Sequence, residues 1–131
     1  MDEAVRALLD RPNFAHVATT LKDGSPHAVA VWSGTVDGDK VGFFTQDGSL
    51  KARNLRRDGR VAISVIDHDD RYEGVQIRGH VVEERTGDDA LAWIDEVARR
   101  HTGADFPMRQ GVLFVIEPER VNHARLPFKR A

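Results

Sequence analysis

The chain has 131 residues with a net charge of −2, 40% hydrophobic and 31% charged residues. That length suits one domain, and the composition is that of a globular protein. There are no cysteines, which excludes a disulfide scaffold, a thiolate zinc site, an iron–sulfur cluster and a cysteine nucleophile. No run of about 18 apolar residues marks a membrane span. The start, Met1-Asp2-Glu3-Ala4-Val5-Arg6, lacks the basic and apolar stretches of a signal peptide, so the expected compartment is the cytoplasm.

In chain order, Asp2 to Asp10 is a short helix, with Ala4, Val5, Leu8 and Leu9 on one stripe, and Pro12 stops it. Phe14 to Leu21 is rich in strand formers, and Asp23-Gly24 signals a hairpin. A second strand runs from His27 to Val36, Asp37-Gly38-Asp39 turns, and Lys40 to Thr45 is a third. Ser49 to Arg57 reads as a helix with Ser49 as N-cap, ended by Asp58-Gly59 through a left-handed glycine. Arg60 to Ile66 is a fourth strand, and Asp67-His68-Asp69-Asp70 a polar, hydrated loop. A fifth strand alternates from Val75 to about Glu84. Asp88 opens an amphipathic helix. Leu91, Ile94, Val97 and Ala98 take its apolar face, Asp95, Glu96, Arg99 and Arg100 its polar one, and His101-Thr102-Gly103 ends it. Gly111 to Glu117 is an apolar strand broken by Pro118. A short strand follows from Glu119 to Ala124, then a polar tail from Arg125 to Ala131. About six mostly antiparallel strands with two or three helices imply a small closed or partly closed β-barrel, mainly β, with helices packed outside. No repeat, linker or low-complexity segment divides the chain.

The strongest local signal for chemistry is Thr45-Gln46-Asp47-Gly48-Ser49-Leu50-Lys51-Ala52-Arg53-Asn54. A strand ends, a glycine turn follows, and a helix starts with serine, lysine and arginine in its first turn. Free N–H groups at a helix start favour an anion; Lys51 adds a point charge and Arg53 a planar fork. The alternative is that Lys51, Arg53, Arg56, Arg57 and Arg60 form a solvated basic face. Cations at a helix N-terminus are unfavourable without a nearby anion, which favours the binding reading. Nucleic-acid binding is not expected, because no aromatics interleave with the cations and the chain is acidic overall.

The six histidines show no metal-ligand spacing on a helix. Asp67-His68-Asp69-Asp70 has the carboxylates for a hard cation but reads more simply as a hydrated loop. There is no nucleophile elbow, Walker loop or dinucleotide fingerprint. Trp32 sits among Ala28, Ala30, Ser33 and Gly34; it is either a core aromatic or a wall beside a planar ligand. Trp93, beside Ile94, is read as packing. Tyr72 and His27 are candidate proton donors, each equally an ordinary strand-end residue.

Phe14 to Leu21, Asp23-Gly24-Ser25-Pro26-His27 and Val31-Trp32 together resemble the opening of the pyridoxamine-phosphate-oxidase-like split-barrel flavoproteins. Phe43-Phe44-Thr45 followed by Ser49-Leu50-Lys51 is similar to their phosphate-binding strand end and helix start. Lys51-Ala52-Arg53-Asn54-Leu55-Arg56-Arg57-Asp58, Val75-Gln76-Ile77-Arg78-Gly79 and Ala98 to Pro107 resemble the branch that uses the deazaflavin coenzyme F420. The resemblance covers nearly the whole chain. It implies a six-stranded antiparallel split β-barrel working as a homodimer, with the cofactor in a groove between subunits. By the same resemblance, Ser49, Lys51, Arg53 and Asn54 would hold the phosphate and nearby polar groups. Ala30, Val31, Trp32 and Ser33 would lie along the ring system, with Thr45 near the phosphate end. The second strand, Val29 to Ser33, lacks the cations of the flavin-mononucleotide (FMN) oxidases, which argues against pyridoxamine-phosphate oxidation.

The implied activity is an F420-dependent oxidoreductase. It would pass a hydride from the reduced deazaflavin to an electrophilic small molecule such as an activated alkene, a quinone or a tetrapyrrole. The alternatives are an FMN-binding oxidoreductase of the same fold, or a non-catalytic carrier of F420 or haem. No catalytic side chain, metal, nucleic acid or membrane partner is indicated.

Overall fold

The computed structural model describes residues 1–128. Helix α1 (Glu3–Asp10) leads into β1 (Phe14–Thr20), β2 (Pro26–Val36) and β3 (Lys40–Thr45). Helix α2 (Leu50–Arg57) follows, then β4 (Arg60–Ile66), β5 (Glu73–Arg85), α3 (Gly87–Thr102) and β6 (Val112–Arg125). The strands close into an antiparallel barrel in the order β1-β2-β3-β6-β5-β4. Among the described residues no helix is long and apolar enough to cross a membrane.

Closure follows from alternation. Val17, Val31, Phe43, Ile63, Ile77 and Phe114 point inward and are buried, while His16, Ala30, Ser64 and Gln76 point outward. Phe43 and Phe114 stack at the centre, 5.7 Å apart. Val5, Leu8 and Leu9 of α1 and Ala52 and Leu55 of α2 join the same core. Asp2 caps α1 by accepting from the Val5 N–H at 3.0 Å. The β2–β3 turn is tight because Asp37 and Gly38 both take positive φ, 54° and 81°.

A second core lies outside the barrel under α3, where Ile94 and Ala90 pack on Val36, Leu113 and Val115. Trp93 belongs to it, as expected: its indole N–H donates to the Thr35 carbonyl at 2.9 Å. The cross-strand pair Gly34 and Gly42 makes room for this ring, since a Cβ on either would come within 3.3 or 3.1 Å of it. Gly34 therefore serves Trp93.

Four expectations need correction. First, Pro118 does not break the last strand; β6 runs on to Arg125, taking in the first residue of the supposed tail. The irregularity is absorbed as a register shift between Arg78 and Gly79, which leaves Glu119 without a cross-strand partner and sets Pro118 opposite Gly79. Beyond it, the Leu126 N–H donates to the Tyr72 carbonyl at 2.9 Å and Phe128 packs on Tyr72; residues 129–131 lie outside the described residues. Second, α2 does not end on a left-handed glycine. Its cap is Asp58 in extended conformation, and the Gly59 carbonyl accepts from Val81.

Third, Asp95 is not on the solvent face of α3. It is 6% exposed and accepts from the Phe106 N–H and, through both carboxylate oxygens, from the Arg109 guanidinium. Those bonds satisfy the charge that burial would otherwise penalise and hold its pKa below the usual carboxylate range, the Arg109 bond foremost. Fourth, the 67–70 loop is not simply hydrated. Asp67 is 3% exposed, accepting from Asn13 Nδ2 at 3.1 Å and the Asp70 N–H at 3.0 Å, with Arg11 at 3.4 Å. Among the described residues no three metal-capable side chains converge.

Candidate functional site

The end of β3 and the start of α2 form one corner. Ser49 caps α2, accepting from the Ala52 N–H at 3.2 Å, and the Thr45 hydroxyl donates to Ser49 Oγ at 2.9 Å. The Ser49 carbonyl takes the Arg53 N–H. The first turn of α2 carries no acidic residue. The positive end of the helix is thus left to whatever anion approaches.

The basic cluster divides into two groups. Arg56 is held by Glu84 and Asp47, its shortest bonds 2.9 and 2.6 Å, which push its pKa above the usual guanidinium value. Arg57 donates to the Thr20 carbonyl and to Asn54 Oδ1, and Arg60 pairs with Asp58. These three have structural partners. Among the described residues Lys51 and Arg53 have no ion-pair partner and are the cations left over at the helix start.

Beside this corner lies a cleft of about 300 Å³ lined by Phe14, Ala30, Val31, Trp32, Phe44, Thr45, Gln46, Lys51, Phe106 and Met108. It gathers five of the sequence-derived residues: Ala30, Val31, Trp32, Thr45 and Lys51. Ala30 and Trp32 face outward on β2, whereas Val31 and Ser33 are buried and turn their side chains to the barrel core. Ser49 stands behind Thr45 as the cap. Arg53 is exposed and outside the cleft lining. Asn54 is 1% exposed, its amide donating to Thr19 Oγ1 at 3.0 Å and accepting from Arg57, so it ties α2 to β1 and does not face the cleft. Tyr72 and His27 do not line this cleft. His27 is half-buried, with Nδ1 fully buried and unpartnered.

The two readings of Trp32 merge. Its indole is half-buried, stacked on His101 at 4.4 Å with planes 9° apart, and meets Phe44 and Phe106 edge-on at 6.3 and 6.2 Å. Packing holds the ring so that it walls the cleft. Burial, and secondarily Arg100, lower the His101 pKa, which favours the neutral imidazole.

Phe44, Phe106 and Met108 were not singled out from sequence. Phe106 and Met108 sit on the loop after α3, and the Asp95–Arg109 pair fastens that loop over the cleft. The site can therefore offer aromatic walls, the Thr45 side chain and an unpaired cation to an anionic ligand with an aromatic ring.

The same fold occurs in known proteins. A solved structure named F420 Reductase is 28% identical, with TM-score 0.78, over 93% of this chain and 98% of that one. A conserved hypothetical protein from Mycobacterium tuberculosis is also 28% identical, with TM-score 0.81, over 100% of this chain and 92% of that one. Pyridoxine/pyridoxamine 5'-phosphate oxidases from two Vibrio vulnificus strains, YJ016 and CMCP6, are 35% identical over 63 residues, 48% of this chain and 30% of theirs. The match spans less than a third of those relatives. A family model described as pyridoxamine 5'-phosphate oxidase matches residues 1–124. The closed six-stranded barrel and this match place the chain in the pyridoxamine 5'-phosphate oxidase family of oxidoreductases.

Proposed function

We propose that the protein is an F420-dependent oxidoreductase that reduces an electrophilic small molecule. The observation that carries the reading is the cleft at β2, β3 and α2, where Trp32, Phe44 and Phe106 wall a space that ends at Thr45 and the unpaired Lys51. The likeness to an F420 reductase over nearly the full length of both chains supports the choice of cofactor. The residues fit such a group: the β2 backbone at Ala30 to Ser33 and the aromatic wall suit a flat ring, and Lys51, Arg53 and the Ser49-capped helix start suit its anionic part.

When bound, the reduced deazaflavin supplies a hydride. The chain's own residues bind, orient and exclude water. Lys51 and the α2 start would hold the anionic part, Trp32 and Phe106 would border the ring, and the Asp95–Arg109 clamp would hold the loop beside it. The cleft is small for a whole cofactor, so we assign the remainder of the groove to a second copy. The outer face of the sheet bears small residues, Ala18, Ala28 and Ala62, around a concavity of about 760 Å³. Its breadth suits a homodimer packed sheet to sheet.

The test is a titration of cofactor-free protein with oxidised F420, following tryptophan fluorescence, with FMN in parallel. Saturation at micromolar or tighter F420 with weak FMN binding is the expected result. Lys51→Ala is expected to weaken F420 by at least about 1.5 kcal/mol, roughly tenfold. The reverse preference would move the protein to the FMN reading. Binding of neither would refute the mechanism.

A further inference from the structure

A second cleft, of about 640 Å³, adjoins the first. Both lie on the outer face of the barrel and share Phe14 and Trp32, which face each other across β1 and β2. The second cleft lies on the β1–β4 side of that aromatic pair. We propose that it is the site for the small-molecule acceptor, and that it selects aromatic molecules bearing an anionic group, with Arg71 as the residue that reads the charge. That the ligand is the acceptor rests on the oxidoreductase reading above. The preference for an aromatic anion rests on the cleft's own residues.

The argument is one of unspent charge. The one carboxylate in the lining, Asp67, is buried and already committed to Asn13, the Asp70 N–H and Arg11. Arg100 is likewise committed, to Glu96 at 2.7 Å and Asp10 at 3.4 Å. Within a single chain, among the described residues, the Arg71 side chain makes no ion pair or hydrogen bond, and the imidazole of His68 beside it has no partner either. What remains to a ligand is therefore a guanidinium fork and an imidazole, with no free carboxylate in the lining to compete. A guanidinium matches carboxylate, sulfonate or phosphate oxygens in bidentate geometry.

Aromatic contact comes from the other walls. Phe14 is 62% exposed although it is aromatic, and the Trp32–His101 stack lies near it, with the Phe14 and His101 rings 6.0 Å apart and tilted by 58°. The arrangement is preorganised, although it includes a loop. The His68 N–H donates to Asn13 Oδ1 at 2.8 Å, the Asp70 N–H to Asp67, and the Tyr72 N–H to Asp70 at 3.1 Å. Arg71 is thus presented between fixed backbone points, which limits the ordering cost of binding. A molecule resting here against Phe14 and Trp32 is the direct neighbour of one held at Lys51.

The test compares two redox-inert probes of one shape, naphthalene-2-carboxylate and naphthalene-2-carboxamide, by calorimetric titration of the full chain without cofactor. The carboxylate is expected to bind at least tenfold tighter. Arg71→Gln is expected to bring the two to equal affinity, while leaving the melting temperature and the affinity for F420 unchanged. Lys51→Ala is expected to leave the probe preference intact. Equal binding of both probes to the native chain, or a preference that survives Arg71→Gln, would overturn the proposal. So would a preference abolished by Lys51→Ala, which would put the probe in the other cleft. The cofactor titrations are independent, so binding of neither F420 nor FMN with probe selectivity intact would refute the oxidoreductase reading and spare the site.

Discussion

Gly79→Ala tests the closure of the barrel. Gly79 lies on β5 opposite Pro118, where the β6 register shifts. A Cβ placed on it would stand 2.1 Å from the Glu117 carbonyl oxygen and 3.0 Å from its carbon. Non-bonded carbon contacts are comfortable near 3.5–4.0 Å, so the two strands must part by about 1 Å. The obstacle is backbone, which no rotamer change relieves. Overpacking of this kind costs at the upper end of the usual 1–3 kcal/mol range, and we take about 3 kcal/mol. Unfolding entropy of about 2.1 cal/mol/K per residue, over 131 residues, converts this to a fall of about 11 °C in melting temperature. Scanning calorimetry at one fixed protein concentration measures it, since self-association would make the midpoint concentration-dependent. Gly48→Ala is the control. Gly48 has no neighbour within 4 Å of a built Cβ and is expected to move the midpoint by less than about 2 °C. A Gly79→Ala protein melting as close to the parent as that control would refute the claim that β5 and β6 need this close approach.

Three further perturbations follow from the same geometry. Asp95→Ala removes the acceptor of the Phe106 N–H and both Arg109 bonds, so trypsin is expected to cleave after Arg109 about tenfold faster, and an unchanged rate would count against the clamp. Asn54→Ala leaves the buried Thr19 hydroxyl without its donor and is expected to cost about 1–3 kcal/mol by urea unfolding. His101 has a folded pKa below its ordinary 6.5, so the unfolded chain binds more protons there and stability falls as pH drops through that value. Urea unfolding at about pH 7.5 and about pH 5.5 is expected to show a smaller acid loss in His101→Gln than in the parent, and equal losses would refute the assignment.

Much of the barrel was legible because its causes are local. The strands alternate, the turns carry Asp-Gly pairs, and Ser49 stands where a cap is needed. Thr45 and Lys51, which line the candidate cleft, belong to a contiguous pattern, a strand end followed by a capped helix; Ala30, on β2, entered only through the family resemblance, and Trp32 through its small neighbours. The misread residues depend on contacts distant in sequence. Pro118 reads as a breaker until the bulge opposite Gly79 is known. Asp95 lies four residues from Leu91 and three from Ala98, so its place on the apolar stripe was visible. What was not visible was Arg109, the partner that makes burial of a carboxylate tolerable. Asp67 was hidden for the same reason, because Asn13 and Arg11, which hold it, are distant in sequence. Phe106 was not placed at the site, and Met108 escaped notice, because a loop's course over a cleft has no periodicity to read.

The order of strands in the barrel has a consequence for how the chain is made. β6 is the last strand in sequence, yet it seals the wall between β3 and β5, pairing Val41 with Ile116. β1 and β4 close the opposite seam, Ala15 against Val65. Until β6 emerges from the ribosome, β3 and β5 are both open edges bearing unpaired N–H and C=O groups beside an apolar interior. The nascent chain thus passes through a stage with the adhesive properties of an aggregating sheet, and it ends only when Val112 to Ile116 arrive. Folding dominated by such distant pairings is intrinsically slow, so the yield of this protein in a cell should depend on chaperone capacity more than its final stability would suggest.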